Sequence, residues 1–370
     1  MEQALSLARL ALGQVSPNPA VGAVVVKNNV VVGQGYTQPV GSWHAEVLAL
    51  NQAVDKARGA VMYVTLEPCC HHGHTPPCTQ AIIAAGISEV HLAMLDPNPL
   101  VSGRGEDDLE REGIKTYLGE HEEEAREINE AYIKFITVGM PFVTAKFALS
   151  LDGKIATKSG DSKWISGEDA RKYVHNLRYI SDAIMAGVNT ILIDDPRLTC
   201  RCGGRGGIVR KQPLRVIVDS KGRTPLTARV FSEPGNTLLA LSRFVTSEEA
   251  AAFVGVGAEL LELPSEEGQV DLEELLKALS KRGITSVLVE GGGILLGSLF
   301  DLGLVDKAIV FIAPIIIGGR EAKTAVGGNG VDKVVDSFKL ERVSFQRFSE
   351  DLMVSGYIKE RKCSPESLKR

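Results

Sequence analysis

Residues 67–78, EPCCHHGHTPPC, place the strongest constraint on how this chain can fold. They hold three of its six cysteines and three of its seven histidines, more soft ligands than one zinc ion binds. Hydrophobic patterning predicts a strand at residues 61–66 and a helix at residues 79–85. Cys69 therefore follows a strand and Cys78 precedes a helix, which are places where two sulfurs can converge on one metal ion.

The tripeptide His44-Ala45-Glu46, at the start of a predicted helix, supplies the third ligand. A catalytic zinc takes three protein ligands and keeps one position for water, and His44, Cys69 and Cys78 form such a set. Glu46 is then the proton donor and acceptor, because its offset from His44 leaves it off the metal. These residues match the H-x-E … P-C-x-x-C signature of zinc nucleobase deaminases, although eight residues separate the two cysteines instead of two.

Two other interpretations of this site remain open. A structural zinc site has four protein ligands, and His71, His72 or His74 could supply the fourth. A nucleic-acid binder or editor that acts on a flipped base would also carry these ligands. Such proteins are normally basic, whereas the formal net charge here is −5. The acidic run Glu122-Glu123-Glu124 also disfavours that class, so we expect no nucleic-acid partner.

Length and composition indicate a globular protein with two cores. The chain has 370 residues, 44% hydrophobic and 24% charged, and no apolar run approaches the length of a membrane-spanning helix. The first residues favour an amphipathic helix over a signal peptide. We expect Cys200, Cys202 and Cys363 to be free thiols in a reducing cytosol, and therefore a cytoplasmic protein without a membrane partner.

The sequence Gly139-Met140-Pro141 divides two sets of alternating helices and strands. We therefore place one domain at residues 1–140 and a second at residues 141–370. The first set has predicted helices at residues 2–13, 44–56, 79–85, 105–112 and 120–137, and strands at residues 20–26, 30–36, 61–66, 89–95 and 114–118. The second has strands at residues 142–149, 183–186, 215–218, 237–240, 287–289 and 308–312, helices at residues 167–177, 247–253, 271–279 and 293–300, and an exposed loop at residues 202–211.

The chain resembles the bacterial bifunctional deaminase/reductases of riboflavin biosynthesis over roughly residues 2–359. In the first half the resemblance lies in His44-Ala45-Glu46, in residues 65–69, 71–73 and 75–78, and in Ser16-Pro17-Asn18-Pro19 and Asp96-Pro97-Asn98-Pro99. In the second half it lies in residues 150–154, 164–166, 194–196 and 290–292. The eight residues between the cysteines are its most specific mark, because they separate this family from cytidine and transfer-RNA deaminases.

The resemblance implies two reactions on a phosphorylated pyrimidine. Zinc-dependent deamination of 2,5-diamino-6-ribosylamino-4(3H)-pyrimidinone 5′-phosphate is followed by NADPH reduction of its ribosyl group to ribityl. The fold implied is a cytidine-deaminase-like α/β/α sandwich followed by a dihydrofolate-reductase-like α/β domain, assembled as a homo-oligomer, a dimer or tetramer. An alternative is a deaminase whose second domain is not catalytic.

Asn18 is implied as a substrate contact, since its amide can donate and accept to a pyrimidine edge at once. A turn asparagine between two prolines explains Asn18 equally well. The chain departs from the family at Thr37, where relatives carry histidine, at Cys70, where serine is common, and at His74, where lysine or arginine is common. Thr37 and His74 bear on how the substrate phosphate is held.

A second site is indicated by residues 287–300, which have the pattern of a strand, a glycine loop and a helix. Glycines let backbone N–H groups approach a phosphate at a helix N-terminus. The pattern is not G-x-G-x-x-G, which argues against a Rossmann domain. From the resemblance, the NADPH contacts are Ala148, Trp164, Thr190, Asp194, Ser220 and the pyrophosphate loop Gly291, Gly292, Gly293, Ile294, Leu295, Leu296 and Gly297.

The resemblance also implies the substrate contacts Ser162, Arg178, Leu198, Arg201 and Glu290. Arg178 and Arg201 suit a clamp on the 5′-phosphate, because a guanidinium binds two oxygens at once, although solvated surface arginines are the commoner outcome. Lys146 lies in an apolar predicted strand, which is unusual for lysine. We expect Lys146 and Glu290 to orient the ribose and its C1′ for hydride attack.

Overall fold

The computed structural model describes residues 1–71, 76–201 and 211–359. They form two compact units, Met1–Pro141 with Ser280–Thr285, and Phe142–Leu279 with the chain from Ser286 onward. Each unit is built on a sheet of its own. Within the described ranges, no helix combines the length and apolarity needed to cross a bilayer. The predictions made for His72, His74, Cys363 and residues 202–210 lie outside the described residues.

The first unit alternates helices and strands, as its patterning predicts. Its described helices are α1 (Glu2–Ala11), α2 (Ala45–Ala53), α3 (Cys78–Ala85), α4 (Arg104–Arg111), α5 (Glu122–Ile128) and α6 (Glu130–Val138), with a 3₁₀ turn at Val54–Ala57. Its strands are β1 (Gly22–Lys27), β2 (Val30–Tyr36), β3 (Val61–Val64), β4 (Glu89–Leu92) and β5 (Lys115–Leu118). The sheet order is β2-β1-β3-β4-β5, with β3, β4 and β5 parallel and β1 antiparallel to both of its neighbours.

Two strand glycines allow α1 and α2 to pack closely on this sheet. A Cβ on Gly22 would lie 2.0 Å from the Ala4 carbonyl oxygen in α1, and a Cβ on Gly35 would lie 2.5 Å from that of Ala45 in α2. Gly35 pairs with Ala23, the neighbour of Gly22, so the two glycines face opposite sides of the sheet. Helices therefore cover both faces, which gives the expected α/β/α layering.

The single long helix predicted at residues 120–137 is wrong. The structure has two helices, α5 and α6, which meet at Asn129 with φ −104° and ψ 16°. The helical periodicity continues through the break, because the buried residues Ala125, Asn129 and Tyr132 are spaced by four and three residues. At the break, the Asn129 side chain exchanges hydrogen bonds with the backbone of Ala20, a long-range contact that periodicity does not encode.

The second unit is a larger mixed sheet with helices packed on it. Its strands are β6 (Phe142–Ser150), β7 (Ala183–Gly187), β8 (Leu214–Val218), β9 (Thr237–Leu241), β10 (Ala258–Glu262), β11 (Ser286–Val289), β12 (Lys307–Ala313), β13 (Leu340–Phe348) and β14 (Asp351–Ile358). Its described helices are α7 (Glu168–Ile180), α8 (Val188–Asp194), α9 (Arg229–Ser232), α10 (Ser247–Gly255), α11 (Leu272–Lys281) and α12 (Gly293–Asp301), with a 3₁₀ turn at Val334–Asp336.

Strand order in this sheet is β10-β9-β8-β7-β11-β6-β12-β14-β13. The seven strands from β10 to β12 in this order run parallel to one another. The β13–β14 hairpin completes the sheet at the other edge, where β14 pairs antiparallel with β12. The sequence patterns did not predict β10, β13, β14, α8 or α9. Strand β13 is exposed along almost its whole length, so it lacks the buried face from which a strand is usually recognised.

Candidate active sites

The predicted zinc ligands of the first unit lie together, each placed by an element end. His44 is the N-cap residue of α2, Cys78 is the first residue of α3, and Cys69 follows β3 by five residues. His44 Nδ1 lies 3.2 Å from Cys78 Sγ and 3.6 Å from Cys69 Sγ. All three ligand atoms lie within 4.8 Å of one another.

These separations fit a zinc ion. Zinc–sulfur bonds of about 2.3 Å and zinc–nitrogen bonds of about 2.0 Å in a tetrahedron place the ligand atoms roughly 3.5 to 3.8 Å apart. Two sulfurs and one imidazole nitrogen are the donor types that zinc prefers. Among the described residues, the cluster offers three ligands, as a catalytic zinc site does, and the fourth position remains for water.

Hydrogen bonds favour a thiolate at Cys69. The Cys78 thiol donates to it and the Cys78 backbone N–H, at the start of α3, donates to Cys69 Sγ over 3.4 Å. These contacts outweigh burial and, together with His44, lower the pKa of Cys69 to about 4. The hydrogen bond to Cys69 and burial raise the pKa of Cys78. The arrangement thus favours the thiolate form at Cys69, the form in which a cysteine binds zinc.

Glu46 is the second residue of α2, and only 4% of its surface is exposed. Burial raises the pKa of its carboxyl to about 7, assisted by the charge on Cys69. The ligand cluster described above does not include Glu46. Its carboxyl is hydrogen bonded to Cys78 beside the cluster, where it can transfer protons without binding the metal.

A cavity of about 340 Å³ opens onto this cluster. The predicted residues Asn18, His44, Glu46 and Cys69 are among those that line it. Thr37, which the departure from the family had linked to the substrate phosphate, lines it too, as do residues to which sequence patterns assigned no role at this site, namely Asp96, Asn98, Tyr132, Phe135 and Ile136. The family motif at residues 96–99 could have indicated Asp96 and Asn98 as lining residues. Nothing in the sequence of α6 distinguished Tyr132, Phe135 and Ile136 from core residues.

The polar lining residues differ in how far their hydrogen bonds are used within the protein. Tyr132 donates from its hydroxyl to Asp96 Oδ1 over 2.8 Å. Thr37, 4% exposed, is held by the backbone of Val21, whose N–H donates to Thr37 Oγ1 over 3.1 Å. The buried Nδ1 atom of His71 has no hydrogen-bond partner among the described residues. His71 lines the cavity, but this nitrogen faces the protein interior and not the open cavity.

In the second unit, most of the residues proposed for cofactor and substrate gather at one edge of the sheet. Strands β8, β7, β11 and β6 are consecutive and parallel, so their carboxyl ends meet there. Ser220 follows β8, Thr190 and Asp194 lie in α8 after β7, Glu290 follows β11, and Ala148 lies near the end of β6. Ligands of open α/β sheets bind at this edge.

Three charged side chains form a buried cluster there. Arg178 Nε donates to Glu290 Oε1 over 2.5 Å and its NH2 to Oε2 over 3.0 Å, while Lys146 Nζ lies 3.6 Å from Oε2. The side chain of Arg178 is 13% exposed, that of Glu290 6% and that of Lys146 16%. Burial alone would raise the pKa of Glu290, but Arg178 and Lys146 outweigh it and lower the pKa to about 2. Arg178 also donates from NH1 to the Thr199 carbonyl over 3.0 Å.

The glycine loop packs against α8 and leaves a helix N-terminus without a side-chain cap. Gly291 and Gly292 have φ of 98° and 87°, values that favour glycine. A Cβ on Gly292 would lie 3.5 Å from Thr190 Oγ1. The N-cap of α12 is Gly292, with no side-chain hydrogen bond to the first turn. This bare helix start at the sheet edge fits the pyrophosphate of a dinucleotide.

Other predicted residues of the second unit have mixed surroundings. Ser162 donates to Asp194 Oδ1 over 2.8 Å. Trp164 is 69% exposed and stacks on Arg171, so it is not a core anchor. The Arg201 backbone N–H donates to His175 Nδ1 over 3.3 Å.

Some predicted contacts are buried in the core instead. Leu198, Leu295 and Leu296 are 3%, 6% and 1% exposed, whereas Ile294 is 68% exposed. A Cβ on Gly297 would lie 2.3 Å from the carbonyl carbon of Gly327. The side chains of Leu295 and Leu296 pack in the interior, so they could meet a cofactor only through backbone atoms.

Two family models match the chain in succession. Residues 1–94 match the cytidine and deoxycytidylate deaminase zinc-binding region, and residues 141–354 match the RibD C-terminal domain. The protein therefore combines a zinc-binding deaminase domain with an NADPH-dependent reductase domain, and the expected fold class and both cofactors are confirmed.

Curated relatives and solved structures extend over nearly the whole chain. The riboflavin biosynthesis protein RibD of Aquifex aeolicus is 43% identical over 355 residues, 96% of each chain. That of Escherichia coli is 40% identical, covering 93% of this chain and 95% of the relative. The structure of Acinetobacter baumannii RibD superposes with a TM-score of 0.85 at 36% identity, covering 97% of this chain and 98% of that one. A Thermotoga maritima structure, described as a diaminohydroxyphosphoribosylaminopyrimidine deaminase/5-amino-6-(5-phosphoribosylamino)uracil reductase, has a TM-score of 0.83 at 36% identity, covering 97% of both chains. The chain belongs to the RibD family of bifunctional deaminase/reductases of riboflavin biosynthesis.

Proposed function

We propose that the zinc unit deaminates 2,5-diamino-6-ribosylamino-4(3H)-pyrimidinone 5′-phosphate and that the second unit reduces the ribosyl group of the product to ribityl with NADPH. The observation that carries this proposal is the placement of His44, Cys69 and Cys78 at the wall of a cavity together with Glu46. The Thermotoga maritima relative is described by the same pair of activities.

In the deaminase reaction, His44, Cys69 and Cys78 hold the zinc ion. When bound, zinc supplies the Lewis acidity that lets water lose a proton near neutral pH. Glu46 takes that proton and delivers it to the ring nitrogen, and then transfers the remaining hydroxyl proton to the departing amine, since its carboxyl faces the cavity but is not a ligand. Water replaces the amino group, and ammonia leaves. Asn18 orients the pyrimidine by donating and accepting hydrogen bonds along its edge.

His71 contributes to binding on another side of the same cavity. Its side chain is part of the cavity lining and shapes the wall there. The Thr37 hydroxyl is hydrogen bonded to the Val21 backbone, so Thr37 contributes to the shape of the cavity wall and not to a polar contact with the substrate.

In the reductase reaction, NADPH supplies the hydride, and the protein binds and orients the two reactants. Ala148, Trp164, Thr190, Asp194, Ser220 and residues 291–297 form the proposed cofactor site at the carboxyl edge of the sheet. Lys146 and Glu290 orient the ribose and its C1′. Ser162, Arg178, Leu198 and Arg201 complete the proposed substrate site.

Arg178 supports this site through Glu290. Its guanidinium pairs with both carboxylate oxygens of Glu290 and with the Thr199 carbonyl. A phosphate clamp formed by Arg178 and Arg201 requires Arg178 to share or exchange these partners. The contacts described here favour Arg178 as the group that holds Glu290.

We also propose that residues 1–140 carry the deaminase and residues 141–370 the reductase, in a cytoplasmic homo-oligomer, a dimer or tetramer. Exposed apolar side chains support association. Val334 and Val335 are 88% and 72% exposed, and Phe345 on the edge strand β13 is 68% exposed. Sedimentation of the purified chain, compared with a Phe345→Glu variant, tests this point, because a monomeric wild type would contradict it.

Mass analysis of the products formed from the diaminopyrimidinone substrate tests the proposed function. Without NADPH we expect the deaminated product alone, one mass unit heavier because an amino group becomes a carbonyl oxygen. With NADPH we expect that product reduced by two further hydrogens. Deamination without any NADPH oxidation would instead favour a deaminase with a non-catalytic second domain.

A further inference from the structure

The buried side chain of Asn129 forms a two-way hydrogen bond with the backbone of Ala20. The Ala20 N–H donates to Asn129 Oδ1 over 2.8 Å, and Asn129 Nδ2 donates to the Ala20 carbonyl over 3.2 Å. Asn129 is 2% exposed and Ala20 is 3% exposed. A side chain at the junction of α5 and α6 thus takes the place that a neighbouring strand would take beside Ala20.

The segment that contains Ala20, residues 16–21, has few means of its own to hold a shape. Pro17 and Pro19 have no N–H to donate, so the segment cannot form a regular ladder. The Asn18 N–H donates locally to the Val15 carbonyl over 2.9 Å, and β1 begins only at Gly22. Buried backbone groups without partners are costly, so Asn129 is needed to satisfy Ala20.

This segment is a wall of the deaminase cavity. Pro17, Asn18, Pro19 and Val21 line the cavity on either side of Ala20 in sequence. Asn129 is not among the lining residues, so any effect it has on a bound ligand must pass through its neighbours.

Asn129 is also the N-cap residue of α6, the helix that carries other lining residues of the cavity. Its Nδ2 donates to the Ala125 carbonyl in the last turn of α5 over 3.3 Å, and α6 starts at Glu130, the residue after Asn129. Tyr132, Phe135 and Ile136 of α6 line the same cavity. One amide therefore ties the 16–21 segment to the start of α6, and so fixes two walls relative to each other.

We propose that Asn129 is a positioning residue of the deaminase, which holds Asn18 and α6 at the separation that the pyrimidine requires. The proposal rests on the deaminase function given above and adds a residue to it. Asn129 acts on substrate binding rather than on the metal, since the three zinc ligands lie on other elements.

The variants that test it are Asn129→Ala and Asn129→Asp. Asn129→Ala removes both hydrogen bonds to Ala20, whereas Asn129→Asp keeps the acceptor at Oδ1 and loses the donor to the Ala20 carbonyl. Asn51→Ala and Asn51→Asp, at an exposed position of α2, are the matched controls. Each protein is assayed for the KM and kcat of deamination, zinc content and NADPH-dependent reduction.

We expect the KM of deamination to rise about tenfold in Asn129→Ala and less in Asn129→Asp. Losing the hydrogen-bond partner of a buried polar group weakens the interactions that hold the site by about one factor of ten in an equilibrium constant. Zinc content, reduction and both Asn51 controls should stay as in the wild type. A KM unchanged in both Asn129 variants, or a loss of zinc that accompanies every loss of deamination, would overturn the positioning role. If Asn129→Ala does not fold, Asn129→Asp carries the same comparison.

A double-mutant cycle with Asn18→Ala separates positioning from general stability. If Asn129 acts through Asn18, the double variant should have the KM of Asn18→Ala alone, because the effects of coupled residues do not add. Fully additive effects would overturn the proposal. Hydrogen exchange of the Ala20 amide gives a readout apart from activity, and we expect it to speed up in Asn129→Ala. A wild type that deaminates nothing would count against the proposed function, whereas a wild type that deaminates with an unaltered Asn129→Ala variant counts only against this inference.

Discussion

Arg178 and Glu290 form a bidentate pair, in which Nε and NH2 of the guanidinium each donate to a separate carboxylate oxygen at 2.5 and 3.0 Å. The two residues are 112 positions apart in the chain. Lys146 approaches the same carboxylate from β6. The geometry of Glu290 in the reductase site thus depends on two cations from different elements.

Replacing Arg178 should therefore disable the reductase and destabilise its unit. Arg178→Ala leaves the Glu290 carboxylate buried with Lys146 as its remaining described cation, and breaking a buried pair costs about 3 to 5 kcal/mol. We expect NADPH-dependent reduction to be lost while deamination persists. Denaturant unfolding and both activity assays measure this.

Arg229→Ala is the matched control, because Arg229 pairs with Asp195 where both side chains are about half exposed. Exposed pairs contribute about 0 to 1 kcal/mol. Equal destabilisation by the two arginine substitutions would contradict the importance given to the buried pair.

The Glu290 carboxylate should also give the second unit a specific pH dependence. Its folded pKa of about 2 is below its ordinary value of 4.5, so the unfolded chain binds the proton more readily. The stability that Glu290 contributes should be complete above about pH 4.5 and should disappear as the pH falls towards 2. Unfolding of the wild type and of Glu290→Gln, compared across that range, measures it, and a pH-independent difference would contradict the low pKa.

Glu46→Gln should abolish deamination without loss of the metal. The amide cannot carry the proton, and general acid–base groups contribute about 10²- to 10⁴-fold to rates. We expect a fall of that size in the kcat of deamination, with zinc content and NADPH-dependent reduction unchanged. Deamination at the wild-type rate would show that the zinc site is structural.

Cysteine substitutions should separate the ligands from their neighbour. Cys69→Ser and Cys78→Ser each remove a sulfur of the cluster and should release the zinc. Cys70→Ser is the control, since Cys70 Sγ lies against the Leu100 carbonyl at 3.8 Å and is not part of the cluster. Metal analysis of the three purified variants checks this, and zinc loss from Cys70→Ser would contradict the ligand set.

Gly297→Ala should lower stability because of packing. The added Cβ would lie 2.3 Å from the Gly327 carbonyl carbon and 2.4 Å from the Gly328 nitrogen, and such overpacking costs about 1 to 3 kcal/mol. Gly255→Ala is the control, because its Cβ would meet nothing within 4 Å. Weaker NADPH binding by Gly297→Ala at unchanged stability would favour a direct cofactor contact instead.

The local patterns of the chain predicted every described strand of the first unit and most of those of the second, but they merged α5 and α6 into one helix. Strands β1 to β4 and helices α1 to α4 lie where periodicity and the glycine ends predict them, because each has buried residues on one face. Strand β5 was also predicted, although none of its residues is buried. The zinc ligands were also predictable, since His44, Cys69 and Cys78 each stand at an element end. The exposed edge strand β13 was missed because it has no such buried face.

By itself, the sequence determined the family and the α/β fold class, and it predicted the ligand set at His44, Cys69 and Cys78. Tertiary structure alone decided that Asn129, between α5 and α6, hydrogen-bonds Ala20, that Arg178 pairs with Glu290, and that Gly297 packs against Gly327. The physical reason is that periodicity, caps and motif spacing report interactions within a few residues. Hydrogen bonds and close contacts between segments 30 to more than 100 residues apart exist only after the chain has folded.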